Sequence, residues 1–314
     1  MMNFVQIKHL WHQRSLFAMR KRICLCLLLI PMHVLAIELE DSILLVNEGI
    51  ELGESNKLTE AIDKFDQVIT LFSSSDNPTH QRSTAKALLN KGVALDQLGH
   101  SEQAIDVYKQ LITKTNIAND TALDIYISNA SFNSGVVFSK LNRNETAITH
   151  YDFVIDRFAQ ASAPSLQEVR AKSMVNKGAV YNTLGQHDKA IQLFDTVYQQ
   201  YHLEKSPLLQ HPLASALFLK STSLLRQENA TESLVTLETL VQAFSHSILI
   251  PVKFIAIRAL LLKSKIYEKQ NKINEAVAMC DQIIEQFAAA PQSQFKQIVT
   301  EVVSRKQNLS KLTN

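Results

Sequence analysis

The residues of this chain that could carry out chemistry are scattered rather than clustered. The seven glycines form neither a P-loop nor a dinucleotide-binding fingerprint, and the sequence has no His-Glu-x-x-His pair. His202 and His211 are close enough in sequence to meet across one loop, but two histidines without a carboxylate or thiolate partner do not make a metal site. The sequence therefore predicts neither a bound metal nor a cofactor.

Carboxylates do recur at a regular spacing. Five of them lie 43 or 86 residues apart, namely Asp66, Asp152, Asp195, Glu238 and Asp281. Each comes directly after a large apolar residue or a cysteine, so we interpret the row as the solvated edge of a helix. We assign these carboxylates no catalytic role, and we predict that the protein is not an enzyme.

The 43-residue spacing organises nearly the whole chain. Three rows of residues keep it: Gly49, Gly92, Gly135, Gly178, Ser221 and Ser264; Ala61, Ala104, Ala147, Ala190, Ser233 and Ala276; and Phe65, Tyr108, Tyr151, Phe194, Leu237 and Cys280. Two helices approach closely only where one presents little side chain, so the small residues mark crossing points and the large ones fill the gap beside them. Cys280 belongs to this last row, which predicts a buried thiol rather than a reactive nucleophile.

Each 43-residue unit has the periodicity of two helices. Apolar and small residues follow a helical pattern on both sides of a break, and the break is occupied by Asn56, Gly99, Asn142, Gly185 and Asn271. Glycine and asparagine tolerate the left-handed conformation that ends a helix, so each unit is predicted to be a helical hairpin. Pro78, Pro164 and Pro207 mark the joints between units, and Ser165 with Glu168 is predicted to form a capping box.

The segment AKALLNKGVALDQLGHSEQAIDVYKQLI, residues 85–112, resembles the tetratricopeptide repeat, in which glycine, alanine and an aromatic residue recur at these offsets. The resemblance implies an all-α fold, a right-handed α-solenoid of stacked antiparallel helix pairs. It covers six hairpins at residues 37–294, followed by a capping helix and tail at 295–314. The period of 43 exceeds the usual 34 of the family. The position before the crossing glycine or serine is lysine in four of the six units, where the family tends to have leucine, which predicts a wetter face.

The resemblance also implies a concave face lined by the first helices. Asn47, Asn90, Asn133 and Asn176 share one position of that helix, and an amide can both donate to and accept from an extended peptide backbone. The alternative is that these amides bond across neighbouring helices. The family's carboxylate-binding grooves further imply Lys86 and Lys172, one turn earlier, as contacts for an acidic group, with Arg258 at the same position of a later unit.

The first 36 residues have a different character. They contain five basic residues and no acidic one, and the segment 23–36 is mostly apolar and ends in Val34-Leu35-Ala36. This pattern predicts a signal peptide cleaved after Ala36, with Met19 as the start before Arg20-Lys21-Arg22. The apolar run is shorter than the ~20 residues that a spanning helix needs. A retained N-terminal membrane anchor remains the alternative, and an organellar transit peptide fits the apolar run less well.

Composition limits the classes of partner. Without the leader, 27 basic residues face 30 acidic ones, so the chain lacks the positive charge that nucleic-acid binding requires. We therefore predict an exported scaffold or adaptor, periplasmic or secreted, that binds a peptide or protein in its groove. The alternatives are a docking or sensory subunit of an envelope enzyme complex and a form anchored to the inner membrane.

Overall fold

The structure is a computed structural model that describes residues 41–113, 120–288 and 292–312, and all regular elements in these ranges are helical. The leader predicted at residues 1–36 lies outside them. The helices are α1 (41–54), α2 (Leu58–Phe72), α3 (Pro78–Gln97), α4 (Ser101–Thr113), α5 (Thr121–Lys140), α6 (Asn144–Arg157), α7 (Pro164–Thr183), α8 (His187–Tyr201), α9 (Gln210–Arg226), α10 (Ala230–Phe244), α11 (Ile250–Lys269), α12 (Ile273–Phe287) and α13 (Ser293–Ser310). A short 3₁₀ helix, Pro207–Leu209, precedes α9.

The helices pack as successive pairs, which confirms the predicted fold class of stacked antiparallel helix pairs. The chain divides into two compact units, Met1–Ala118 and Asn119–Asn314. Helices α1 to α4 belong to the first unit and α5 to α13 to the second. The 43-residue period runs through the division from Gly92 to Gly135, so the sequence pattern alone does not predict it.

The predicted crossing points are confirmed. A Cβ atom placed on Gly49, Gly92, Gly135 or Gly178 would lie less than 3 Å from the ring of the residue sixteen positions later, respectively Phe65, Tyr108, Tyr151 and Phe194. These rings are almost fully buried, as are the alanines of the second row. Each of the first four hairpins therefore closes through one aromatic ring packed against the bare backbone of a glycine.

The fifth and sixth hairpins have different residues at the crossing and aromatic positions. Their crossing residues are Ser221 and Ser264, which carry a Cβ, and the residues packed in the aromatic position are the smaller Leu237 and Cys280. Ser264 Oγ lies 3.8 Å from Cys280 Sγ. The volume added on one helix is thus removed from the other, which keeps the packing density of the pair.

The turns within the hairpins have the predicted left-handed residue. Positive φ angles occur at Asn56, Gly99, Asn142, Gly185, Glu228 and Asn271. After each of these, the next N–H donates to a carbonyl five residues earlier, as in His100 N to Leu95 O at 2.8 Å, which closes the helix end. Glu228 is the unexpected member, because a non-glycine residue other than asparagine rarely adopts this conformation.

The joints between hairpins confirm the prolines and correct the capping box. Pro78 and Pro164 are the first residues of α3 and α7, where the missing N–H of proline costs nothing. The predicted capping box at Ser165 is wrong: because Pro164 begins α7, the N-cap is Ala163 and Ser165 already lies inside the helix. Glu168 instead pairs with Lys172 at 2.5 Å.

The last helix covers the apolar end of the second unit. Phe295, Val302 and Leu309 of α13 are buried, and Phe295 stacks on Phe254 and Phe287 with ring centroids 4.8 and 5.4 Å apart. Ile298 and Val299 pack partly against the same core. This arrangement is the one expected of a terminal cap, which shields the apolar face of the preceding hairpin.

Candidate functional site

Charged side chains link successive hairpins in a regular series of ion pairs. A lysine on the first helix of one hairpin reaches the carboxylate on the second helix of the hairpin before it, always 25 residues earlier. The pairs are Lys91 with Asp66, Lys177 with Asp152, Lys220 with Asp195, Lys263 with Glu238, and Lys306 of α13 with Asp281. The carboxylate row is therefore not simply a solvated edge, because each member binds a lysine of the neighbouring helix.

The depth of these pairs varies along the chain. The Lys263 side chain is 5% exposed, whereas that of Lys306 is 38% exposed. The hydrogen bond from Lys263 lowers the pKa of Glu238 below its ordinary value. The lysines that precede the crossing residues are only 5–21% exposed, so they connect the repeats rather than forming a wetter face.

The asparagine row lies on the first helices and is largely engaged within the protein. Asn47 Oδ1 accepts a hydrogen bond from Lys86 Nζ at 3.3 Å, and Asn90 Nδ2 donates to the Lys86 carbonyl of its own helix at 2.8 Å. Asn176 hydrogen-bonds the Tyr151 side chain of the preceding hairpin. The Asn133 amide, half-buried, has no hydrogen-bond partner among the described residues of its own unit. An amide offers two donors and two acceptors, so all four keep capacity for a ligand.

The cations proposed for this face have unlike surroundings. Lys86 donates its hydrogen bond to the neutral amide of Asn47, and this bond leaves the positive charge of Lys86 available for a ligand. Lys172 pairs with Glu168, which must be displaced before another carboxylate can bind. Arg258 lies over the Phe218 ring, with its guanidinium carbon 4.4 Å from the ring centroid, in a cation–π contact.

The cysteine that the sequence offers as a nucleophile lies in the core. Cys280 is fully buried and burial raises the pKa of its thiol, in agreement with a core residue. No group of three or more His, Cys, Asp or Glu side chains in residues 41–113, 120–288 and 292–312 is arranged to hold a metal ion. None of the helices in these ranges is both long enough and apolar enough to cross a bilayer.

Sequence comparison identifies the repeat. Two models of the tetratricopeptide repeat match the chain, one at residues 85–113 and 171–199 and the other at residues 258–289. No curated protein shows significant sequence similarity to the chain. The matched segments coincide with the hairpins α3–α4, α7–α8 and α11–α12, which lie two units apart in the 43-residue series.

Comparison with solved structures gives the same fold at low sequence identity. A structure of Pseudomonas aeruginosa pilF has a TM-score of 0.52 and 13% identity over 83% of this chain and 98% of its own. BtubC (BKLC) from P. vanneervenii has a TM-score of 0.57 and 13% identity over 74% and 89%. The apo form of RapI has a TM-score of 0.53 and 12% identity over 85% and 98%. At these identities the likeness concerns the fold alone.

The chain therefore contains tetratricopeptide repeats, set in an array of helix pairs that follows a 43-residue period. Proteins built from this repeat are in general scaffolds that bind other proteins rather than enzymes, because their stacked helices present continuous surfaces instead of enclosed clefts. Our sequence analysis did not predict the lysine–carboxylate pairs. The constant separation of 25 residues between the lysines and the carboxylates is visible in the sequence and could have indicated them.

Proposed function

We propose that this protein is a non-enzymatic scaffold or adaptor that binds a peptide or protein partner on the first helices of its hairpins. The supporting observation is the asparagine row on α1, α3, α5 and α7, where amides recur at one helical position and remain open to further hydrogen bonds. Within each compact unit, two amides at the same helical position can hydrogen-bond an extended backbone of any sequence, since every peptide group except that of proline offers one donor and one acceptor.

Asn90 in the first unit and Asn133 in the second are the amides to test. Asn90 bonds only to its own helix and Asn133 has no partner within its unit, whereas Asn47 and Asn176 bond side chains of other helices. Replacing Asn90 and Asn133 by alanine should therefore remove ligand contacts while leaving the packing between helices intact. Each hydrogen bond lost should weaken binding by about 0.5–1.5 kcal/mol.

Lys86 and Lys172 complete the proposed surface as contacts for an acidic group of the partner. Lys86 is the stronger candidate because its neighbour Asn47 is neutral, while Lys172 is already neutralised by Glu168. Lys86→Met should weaken binding of a partner with an acidic group and should reduce the salt dependence of that binding. Lys172→Met should have a smaller effect.

We also propose that the protein acts after export, in the periplasm or outside the cell. The support is the basic and apolar leader that ends at Ala36. Mass spectrometry of the protein recovered from the envelope fraction should show a chain that begins at Ile37. A chain that retains its leader and sediments with the inner membrane would instead establish the anchored form.

A pull-down from envelope extract tests the binding proposal. The wild type, the Asn90→Ala/Asn133→Ala variant and an Asn308→Ala control are compared, since Asn308 is an exposed asparagine on α13, away from the row. We expect a partner that is retained by the wild type and the control and lost from the double variant. Equal recovery by all three folded proteins would place the binding surface elsewhere.

A further inference from the structure

The first hairpin carries an open apolar cavity at the end of its helices. The cavity has a volume of about 540 Å³ and is lined by Asp41, Leu44, Leu45, Leu71, Phe72, Ser75 and His80. Leu44 and Leu71 are 56% and 65% exposed, which places two large aliphatic side chains at an open surface. Contiguous exposed apolar surface of this kind marks a binding site more often than an ordinary solvated face.

A buried histidine forms part of the cavity wall. His80 is 6% exposed, its Nδ1 lies 2.8 Å from Ser75 Oγ, and its ring packs on Phe72 with centroids 4.6 Å apart. The other ring nitrogen, Nε2, has no hydrogen-bond partner among the described residues. A buried polar atom without a partner is uncommon in native proteins. The wall of the cavity therefore contains an unsatisfied polar group beside its apolar side chains.

The charge around this cavity is strongly negative. Residues 41–77, which form the first hairpin and its joint, contain eight acidic and two basic residues, a formal charge of −6. Residues 78–314 contain 20 acidic and 25 basic residues, so the acidity is confined to this end of the chain. Asp41 lines the cavity, and the exposed Asp76 directly follows the lining residue Ser75.

These observations define the chemistry of an occupant. The apolar wall fits one or two large aliphatic or aromatic side chains, and the surrounding carboxylates attract cations. An anionic lipid surface or a nucleic acid would be repelled by the same charge. We propose that the first hairpin docks a basic amphipathic segment of a partner protein, which inserts apolar side chains between Leu44 and Leu71 and directs lysine or arginine residues toward the acidic rim.

This surface extends the protein-binding function and does not depend on the asparagine row. The two surfaces use different residues, so a variant that disables one leaves the other intact. The Asn90→Ala/Asn133→Ala variant should still bind a basic amphipathic segment at the cavity. If the asparagine row proved not to bind a partner, the proposal for the cavity would be unaffected.

Fluorescence anisotropy with defined peptides tests the proposal. The probes are a labelled 14-residue amphipathic peptide of leucine and lysine and its counterpart with glutamate in place of lysine. Each is titrated with the chain that begins at Ile37, the form proposed above. We expect the lysine peptide to bind and the glutamate peptide not to bind. Leu44→Ser/Leu71→Ser should weaken the lysine peptide about tenfold or more, whereas Leu184→Ser, which changes a leucine that is 41% exposed on another hairpin, should not.

A second variant separates charge from apolar contact. Asp41→Lys/Asp76→Lys should weaken the lysine peptide and reduce the salt dependence of its binding, without change in the circular dichroism spectrum. The proposal would be overturned if the protein bound both peptides equally well. It would also be overturned if Leu44→Ser/Leu71→Ser bound the lysine peptide as tightly as the wild type does.

Discussion

The packing of an aromatic ring against a bare glycine makes a quantitative prediction for Gly178→Ser. A Cβ atom at this position would lie 2.5 Å from Phe194 Cε1 and 2.8 Å from Cζ, which is about 1 Å closer than ordinary contact. Relieving the overlap requires the ring or the helix to shift, which costs about 1–3 kcal/mol. The higher helix propensity of serine recovers about 0.5 kcal/mol of this. We expect a net loss of about 0.5–2.5 kcal/mol in the free energy of unfolding.

The fifth hairpin supplies the compensating change. There a serine, Ser221, packs with Leu237, and its hydroxyl donates to the Phe218 carbonyl at 2.7 Å. Phe194→Leu should therefore make room for the serine side chain, which can donate to the Val175 carbonyl in the same way. The double variant should be more stable than the sum of the single effects predicts, by about 1 kcal/mol or more.

Urea denaturation followed by circular dichroism measures this coupling in the four proteins of the cycle. Gly53→Ala is the matched control, because a Cβ atom there would meet only Ala61 Cβ at 4.0 Å. It should leave stability unchanged or raise it slightly. Additive effects of Gly178→Ser and Phe194→Leu, to within about 0.5 kcal/mol, would refute the crossing-point account.

The ion pairs and the buried cysteine lead to three further predictions. Glu238→Gln leaves the nearly buried Lys263 without its charged partner and should lower the free energy of unfolding by about 1–3 kcal/mol. Asp281→Asn, whose partner Lys306 is more exposed, should lower it by less than about 1 kcal/mol. Equal losses of the two variants in denaturation would contradict the role of lysine burial. Lys263 lowers the pKa of Glu238 in the folded state, so the stabilisation is present above the ordinary carboxyl pKa of 4.5 and is lost as the pH falls through the lowered value. Thermal melts of the wild type and of Glu238→Gln should therefore converge once the pH falls below the lowered pKa of Glu238, and a gap that persists under acid conditions would argue against this linkage. Because burial raises the pKa of the Cys280 thiol, peptide mapping should find it alkylated by iodoacetamide in denaturant only, and rapid labelling of the native protein would show that the thiol is accessible.

The residues of the fold that sequence reasoning predicted are those fixed by short-range geometry. The glycine and its ring lie sixteen residues apart in one hairpin, and the left-handed turn residue lies between the same two helices. The first depends on close backbone approach, which glycine, alanine and serine permit. The second depends on the left-handed conformation, which glycine and asparagine tolerate. Their fixed spacing therefore predicts the packing as well as the register of the repeats.

The features that sequence reasoning missed depend on how side chains reach between hairpins. Lys263 and Glu238 each look like ordinary charged helix residues, and their pairing follows only from the stacking of one hairpin on the next. The cavity beside His80 was missed for a related reason, because exposed leucines such as Leu44 and Leu71 fit a helical apolar pattern equally well whether a neighbour covers them or not.

The central claim is that a partner binds on the first helices of the hairpins, and site-specific photocrosslinking tests it most directly. A photoreactive phenylalanine derivative is placed at Asn133, on the first helix α5, or at the exposed Gln199, on the second helix α8, in cells of the native host. The account predicts a crosslinked partner from the first position and none from the second. Crosslinks obtained only from the second-helix position would contradict it.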